Sequence, residues 1–217
     1  MGPRPRKSSA RWPDSCRKVI EAVHVYSSSD NRTSALGTIA LSAVLIAIGS
    51  NAGFEALGVG PAWLFSPPTV AAAFGLIYRF VDTVAWRWPV LHRLGIIQVP
   101  VLQGVYEGQL VSSYQKVTRP VRIRIDQSWT RIAIRFDVLP PTSSTSYSIA
   151  AGLAAEGQHH SRLTYTYRNQ TQPGVADVDM NDHDGTAEVV IDIRTGELTG
   201  RYFNFRGRQG TLTLARA

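Results

Sequence analysis

The chain has 217 residues and a formal net charge of +7, and 44% of its residues are hydrophobic. This length accommodates one ordinary domain plus an additional segment. Because Cys16 is the single cysteine, an internal disulfide is excluded, which agrees with a cytoplasmic location for the folded part of the chain.

A long apolar segment follows a basic N-terminal tail, predicted to be cytoplasmic, at residues 1–32. The tail contains seven Lys or Arg, whereas the 46 residues from Thr33 to Tyr78 contain a single charged residue. A helix needs roughly 20 apolar residues to span a bilayer, so this run is long enough for two crossings. The pattern predicts a two-helix transmembrane hairpin over residues 33–84. Its first span lies near 33–53, and its second starts near Pro67, since proline fits the first turn of a helix.

Two other interpretations of the apolar run compete with the hairpin. A secretory signal would place one short apolar stretch at the extreme N-terminus, whereas this run starts after the tail and is too long. A buried helical pair of a soluble protein stays open, because Glu55 and several glycines interrupt the run. Positive residues flank the run on both sides, with Arg79, Arg87 and Arg93 after it. A membrane hairpin would therefore have both termini in the cytoplasm.

The sequence changes character after a linker at residues 85–98. Between residues 99 and 217, eight runs rich in Val, Ile, Thr and Tyr are separated by turn signals such as "RTGE" around Gly196. Eight consecutive strands with tight connections predict an eight-stranded up-and-down β-barrel, whose interior is either packed or holds one small ligand. The predicted fold class is a membrane α-helical hairpin followed by this all-β domain.

Strand alternation predicts which side chains face the barrel interior. In "PVRIRID" and "RIAIRFDV", apolar residues occupy one face and most charged residues the other. Three later strands differ, because one face of each is hydroxylated or aromatic. These faces contain Ser144, Ser146 and Ser148, then Tyr165, Tyr167 and Asn169, then Gly200, Tyr202, Asn204 and Arg206. The pattern alone leaves open whether these side chains fill the interior or contact a polar ligand.

The charge of the barrel segment argues against a nucleic-acid polymer as its partner. Residues 99–217 carry 13 Lys or Arg and 11 Asp or Glu, which is too nearly neutral for contact with a phosphate backbone. The stretch "GRYFNFRG" at 200–207 does not match the RNA-binding strand signature. A compact nucleotide needs less, namely aromatic rings, hydroxyls and one or two cations.

Neither a catalytic site nor a metal site is predicted, and no cofactor is expected. Calcium-loop spacing occurs at Asp177, Asp179, Asn181 and Glu188. Asp182 occupies the position that requires glycine, so we interpret this segment as an acidic turn. His183 either contacts a ligand at the barrel mouth or caps the turn. Because the motifs of the common hydrolases, zinc peptidases, dithiol enzymes and phosphate-loop proteins are missing from the sequence, the chain is predicted to be non-enzymatic.

The order of elements and of several short motifs resembles a known family. The motifs are "GVYEG" at 104–108, "QSWTRI" at 127–132, "TSSTSYSIA" at 142–150, "LTYTYRN" at 163–169, "DHDGTAEV" at 182–189 and "LTGRYFNFRGRQG" at 198–210. The chain is similar to the two-transmembrane, β-strand-rich effectors that accompany cGAS/DncV-like nucleotidyltransferases in bacterial CBASS anti-phage systems.

This resemblance implies that the barrel binds a cyclic dinucleotide made by the partner nucleotidyltransferase. The membrane segments would then self-associate into homo-oligomers and disrupt the lipid bilayer of the bacterial inner membrane, where the protein would be located. This disruption would kill the cell. The alternative is a membrane-tethered barrel that binds a lipid or another hydrophobe and has no lytic role. The candidate ligand contacts combine the interior faces with the motifs: Tyr106, Trp129, Thr130, Ser144, Ser146, Tyr165, Tyr167, Asn169, Tyr202, Asn204 and Arg206.

Overall fold

A computed structural model describes residues 23–28, 32–56, 58, 67–114, 116–140, 144–157, 159–171 and 182–217. Most of the predicted tail lies outside these residues. Most of the turn between the two predicted spans also lies outside them, as do Asp177, Asp179 and Asn181 of the calcium-loop pattern.

Short elements and helices occupy the N-terminal part. They are β1 (His24–Val25), β2 (Ser27–Ser28), α1 (Arg32–Ala56), α2 (Pro67–Thr83), a 3₁₀ turn (Ala85–Arg87) and α3 (Pro89–Arg93). The predicted start of the second helix at Pro67 is confirmed. Helices α1 and α2 pack against each other. Within the described part, α1 is long and apolar enough to cross a membrane, with a mean hydropathy of 1.6 over Arg32–Gly49.

Eight antiparallel strands form a closed barrel within the described residues. They are β3 (Gly104–Ser112), β4 (Thr118–Gln127), β5 (Arg131–Val138), β6 (Ser144–Glu156), β7 (His160–Thr171), β8 (His183–Asp192), β9 (Glu197–Asn204) and β10 (Gln209–Arg216). Each strand pairs with the next, and β10 pairs with β3 to close the ring. The predicted up-and-down barrel is therefore confirmed.

Alternation along the strands divides the barrel into an interior and an outer surface. In β4, Val121, Ile123 and Ile125 are fully buried, while Arg122 and Arg124 lie on the outside. This arrangement follows from the two-residue period of a strand, which sends successive side chains to opposite faces. The predicted apolar face of this strand is thus confirmed.

The two ends of the barrel differ. At the helix end, which faces α1 and α2, the strands β4, β6 and β8 end and β5, β7 and β9 begin. At the open end, β3, β5, β7 and β9 end and β4, β6, β8 and β10 begin. The helix end is filled with apolar side chains. Trp86, Ile97, Leu102 and Trp129 are all completely buried there. They form a packed floor under the barrel.

A buried carboxylate attaches α2 to this floor. Asp82, near the end of α2, is only 7% exposed. Its Oδ1 accepts hydrogen bonds from the Thr130 N–H at 2.9 Å, the Thr130 hydroxyl at 2.9 Å and the Ser128 hydroxyl at 3.1 Å. The Trp129 N–H donates to the Asp82 carbonyl at 3.1 Å. A buried charged group is retained when it is hydrogen-bonded in this way, so the β4–β5 turn is a docking point for α2.

The N-terminal segment also belongs to the barrel wall. Strand β1 pairs with β5, and β2 pairs in parallel with β6. We call residues 23–28 the strap. It occupies the helix-end half of the wall between β5 and β6, which pair directly only over the four residues from Arg135 to Val138. The end of the predicted tail is therefore part of the sheet.

Candidate ligand-binding site

A cavity occupies the open-end half of the barrel interior. The cavity has a volume of about 120 Å³, and about 830 Å³ when the solvent space at its open mouth is counted. Small-molecule sites typically occupy roughly 300–1,000 Å³. A ligand larger than a single ring system would therefore extend from the cavity into the mouth.

The structure brings most of the predicted contact residues together around this cavity. Seven of them line it: Ser144, Ser146, Tyr165, Tyr167, Asn169, Tyr202 and Asn204. They come from β6, β7 and β9, the three strands whose interior faces are polar in the sequence. The remaining lining includes apolar side chains such as Leu110, Phe136 and Leu212.

Hydroxyl and amide groups on different strands are held in hydrogen-bonded pairs. The Asn169 side-chain NH2 on β7 donates to the Ser146 hydroxyl on β6 at 2.9 Å. The Tyr202 hydroxyl lies 2.9 Å from the Ser112 hydroxyl, and one of the two donates to the other. A polar group needs a partner when it is buried, and these pairs satisfy that need while fixing the orientation of each side chain.

Tyrosine rings form much of the polar wall. The Tyr165 and Tyr167 ring centres lie 6.3 Å apart, and Tyr167 makes an edge-to-face contact with His183, also at the cavity, at 6.5 Å. Burial raises the pKa of both phenols well above their usual value of 10.0. Both hydroxyls therefore stay neutral at physiological pH and remain able to donate hydrogen bonds.

Two glycines make room for these rings. A Cβ at Gly185 would lie 2.4 Å from the Tyr167 hydroxyl oxygen, and one at Gly210 would lie 2.5 Å from Cε1 of Tyr202. Both distances are far below van der Waals contact. Each tyrosine ring therefore lies over a neighbouring strand only because that strand carries glycine at the position beneath it.

Two cations stand at the mouth. Arg119 comes from the start of β4, and Arg208 immediately precedes β10. The guanidinium carbon of Arg208 lies 3.9 Å from the centre of the Tyr114 ring, which also lines the cavity. The Asn204 side-chain oxygen accepts the backbone N–H groups of Arg206 and Arg208 at 3.0 and 3.1 Å, so it shapes the turn that positions Arg208.

The two cations lie across the mouth from the Ser146–Asn169 pair. In the order of strands around the barrel, β4, β3 and β10 are consecutive, and β7 lies opposite β3. Arg119, Tyr114 and Arg208 thus face the wall that carries Ser146 and Asn169. An arrangement of cations, aromatic rings and neutral hydrogen-bonding groups suits a ligand with both anionic and planar aromatic parts.

Four predicted contact residues lie away from the cavity lining. Tyr106 is 1% exposed and donates from its hydroxyl to the Leu102 carbonyl at 2.9 Å. Trp129 and Thr130 lie in the β4–β5 turn at the helix end, where they meet Asp82 and the floor. Strand β9 ends at Asn204, so alternation along this strand does not extend to Arg206, which lies in the following turn. The structure therefore does not bring these four residues together with the other seven.

The sequence contained signals for the residues that were missed. Arg119 has the same parity as Val121 and Ile123 on β4, and Arg208 has the same parity as Leu212 on β10. Extending the alternation one step beyond each predicted strand would have placed both cations at the mouth. Glycine within a strand pattern signals a close approach of another group, which is the case at Gly185 and Gly210.

The closed barrel with a packed floor and a cavity lined by polar and apolar side chains defines a ligand-binding barrel. Residues 97–216 match the family described as Cap15, cyclic dinucleotide receptor domain. The match covers more than half of the chain, and the chain belongs to this family. It confirms the resemblance to CBASS membrane effectors. No curated protein matches the chain.

Proposed function

We propose that this protein is a non-enzymatic membrane effector that is switched on by a cyclic dinucleotide. A partner nucleotidyltransferase makes the ligand, the barrel binds it, and the helices then self-associate and disrupt the inner membrane, which kills the cell. The observation that carries the proposal is the cavity, in which two arginines stand at the mouth of a barrel with tyrosine, serine and asparagine side chains inside.

The two parts of the cavity suit the two parts of a cyclic dinucleotide. The inner part of the cavity is lined by Tyr165, Tyr167 and Tyr202, whose rings stack on nucleobases. The Ser146–Asn169 pair offers hydrogen bonds to the edge of a base. The mouth carries Arg119 and Arg208, which suit phosphate groups because guanidinium forms charge-assisted and bidentate bonds with phosphate oxygens. In this pose the bases point inward and the phosphates remain at the mouth.

The cavity is less suited to the alternative ligand, a lipid or another hydrophobe. A lipid-binding barrel needs an apolar interior along its length, whereas here the apolar half is occupied by the floor and the empty half carries polar groups. An acyl chain in the cavity would leave the remaining hydrogen-bonding capacity of Ser146, Asn169 and the tyrosine hydroxyls unused, whereas the edge of a nucleobase can use it.

Calorimetric titration of the full chain in detergent tests ligand binding, and dye release from loaded vesicles tests membrane disruption. We expect one or more of cyclic di-AMP, cyclic di-GMP and cyclic GMP-AMP to bind and to trigger dye release, whereas oleate does neither. Binding without release would overturn the membrane step and leave the receptor role intact. Binding of oleate alone would favour the lipid barrel.

The membrane arrangement that we propose is a hairpin with both termini in the cytoplasm. On α1, the side chains of Leu41, Leu45, Ile46 and Ile48 are 57–62% exposed, which suits a lipid-facing surface. The strap precedes α1 and the barrel follows α2, yet both belong to one sheet. They must lie on the same side of the membrane, so an inserted chain crosses an even number of times. The positive flanks assign that side to the cytoplasm.

Reporter fusions test this topology. A phosphatase that is active only in the periplasm should be inactive when it is fused to the C-terminus, whereas a fluorescent protein that matures in the cytoplasm should be bright there. Alkaline phosphatase activity from the C-terminal fusion would contradict the arrangement and would separate the barrel from a cytoplasmic ligand.

A further inference from the structure

The strap completes the barrel wall where the strands themselves do not. Direct pairing between β5 and β6 is limited to four residue pairs at the open-end half, and the β6–β7 register shifts between Ser148 and Ala150. Towards the helix end, β1 lies against β5 and β2 against β6. Without the strap, both of these strands would present unpaired backbone groups, which is the usual template for addition of another strand.

Side chains fit the strap to this position. The Ser148 hydroxyl accepts the Ile134 N–H at 2.9 Å and is hydrogen-bonded to the His24 ring at 2.8 Å. Tyr26 is 1% exposed, and its hydroxyl donates to the Trp129 carbonyl at 2.8 Å. The wall therefore has a specific binding position for the strap, which includes a buried site for the Tyr26 ring.

The backbone attachment of the strap is nevertheless small. Two residue pairs join it to β5 and two join it to β6, and the second set is parallel within an otherwise antiparallel barrel. Parallel pairing is slightly the less stable arrangement. The outward side of the strap is open, since Val25 is 67% exposed. Few backbone bonds must therefore break for the strap to leave the wall.

The connection from the strap to α1 is short, because three residues separate Ser28 at the end of the strap from Arg32 at the start of α1. The Arg32 side chain donates to the Trp129 carbonyl at 3.4 Å, and its guanidinium carbon lies 4.7 Å from the centre of the Tyr26 ring in the strap. Among the described residues, the Ser28 hydroxyl and Arg32 Nε are buried without a hydrogen-bond partner. The start of α1 is therefore attached to the strap, and two polar atoms beside the junction lack the hydrogen bonds that would stabilise it further.

We infer that the strap is exchanged between copies in the assembled protein, so that the strap of one copy closes the wall of its neighbour. The inference rests on the proposed function for its trigger, which is ligand binding. Exchange reproduces each strap contact between two copies, which makes it a low-cost route to association, and short connections promote it. Each copy gives one strap and receives one, so reciprocal exchange closes a two-fold dimer and head-to-tail exchange continues into rings or filaments.

Cross-linking between two differently tagged copies tests the exchange in the full chain with Cys16→Ser. Val25 and Arg131 are direct antiparallel partners and both are exposed, and the Cα separation of such pairs suits a disulfide. One copy carries Val25→Cys and the other Arg131→Cys, in the same vesicles. On addition of the cyclic dinucleotide that binds best and a mild oxidant, we expect about tenfold more disulfide-linked heterodimer than for a pair that meets only by collision.

The matched control replaces Arg131→Cys by Thr199→Cys, because Thr199 is also exposed but lies on β9, on the far side of the barrel. A Gly-Ser-Gly insertion between Ser28 and Arg32 should lower the heterodimer yield, since a longer connection favours the copy whose strap stays in its own barrel.

If ligand binds and light scattering shows assembly, but the heterodimer does not exceed the control, exchange is wrong and the proposed function stands. If no cyclic dinucleotide binds, the proposed function fails. Heterodimer in concentrated vesicles without ligand would then still support exchange, and its absence would overturn it.

Discussion

Replacing Arg119 and Arg208 together by alanine should lower the affinity of the full chain for its cyclic dinucleotide by about a hundredfold or more. Both guanidinium groups line the mouth of the cavity, where the phosphates lie in the proposed pose. A hydrogen bond to a charged group contributes about 1.5–3 kcal/mol, so two such contacts contribute about 3–6 kcal/mol. Each 1.4 kcal/mol corresponds to roughly tenfold in Kd. Calorimetric titration measures the difference.

The chain offers a matched pair of arginines as the control. Arg122 lies three residues from Arg119 on the same strand, but it faces outward and pairs with Glu107 at 2.7 Å. Arg206 lies two residues from Arg208 in the same turn and is not part of the cavity lining. The double variant Arg122→Ala/Arg206→Ala removes the same net charge and should bind almost like the wild type. An equal loss in both double variants would mean that general electrostatic attraction, and not contact at the mouth, explains the effect.

Replacing Trp129 by alanine should lower the free energy of unfolding by about 3–5 kcal/mol, which is the usual cost of truncating a buried large aromatic side chain. Trp129 is completely buried in the floor, and its ring centre lies 6.3 Å from that of Tyr78 on α2. Its position at the helix end keeps it away from the cavity, so the affinity of the folded protein should stay within about twofold of the wild type. Denaturant unfolding of the full chain measures stability, and titration measures affinity.

Trp88→Ala is the control for this substitution, because Trp88 is 47% exposed and its loss should have a much smaller effect on unfolding. The two measurements also decide between the two roles considered for Trp129. If Trp129→Ala unfolds like the wild type but binds the cyclic dinucleotide more weakly, Trp129 contacts the ligand and is not part of the floor.

The barrel and the polar interior were predictable because strand alternation is local. A two-residue period fixes the face of Tyr165, Tyr167 and Asn169 once the strand is recognised. The same argument fails at Arg206, since it holds only while the strand continues, and β9 ends two residues earlier. The argument would have reached Arg119 and Arg208 if each of the two predicted strands, which start at Pro120 and Gln209, had been started one residue earlier.

Features that depend on distant parts of the chain were not predictable in this way. The strap has only two short strands, and neither His24 nor Tyr26 carries a local signal that it pairs with residues more than 100 positions away. The motif "QSWTRI" has a tryptophan that suits either stacking or packing, and only its contact with Asp82 on α2 assigns it to the floor. Such pairings depend on the tertiary fold, which overrides local pattern.

The packed floor closes the barrel at its helix end and leaves only the other end open. Water and ions that enter at the open end reach Tyr165 and Leu212 and then meet completely buried Trp129, Ile97 and Leu102. Within the described residues, the barrel thus offers no axial conduit from its open end to the helices. In the proposed function, a leak would therefore run between helices of adjoining copies, and its width would depend on how many copies meet rather than on the eight strands of each one.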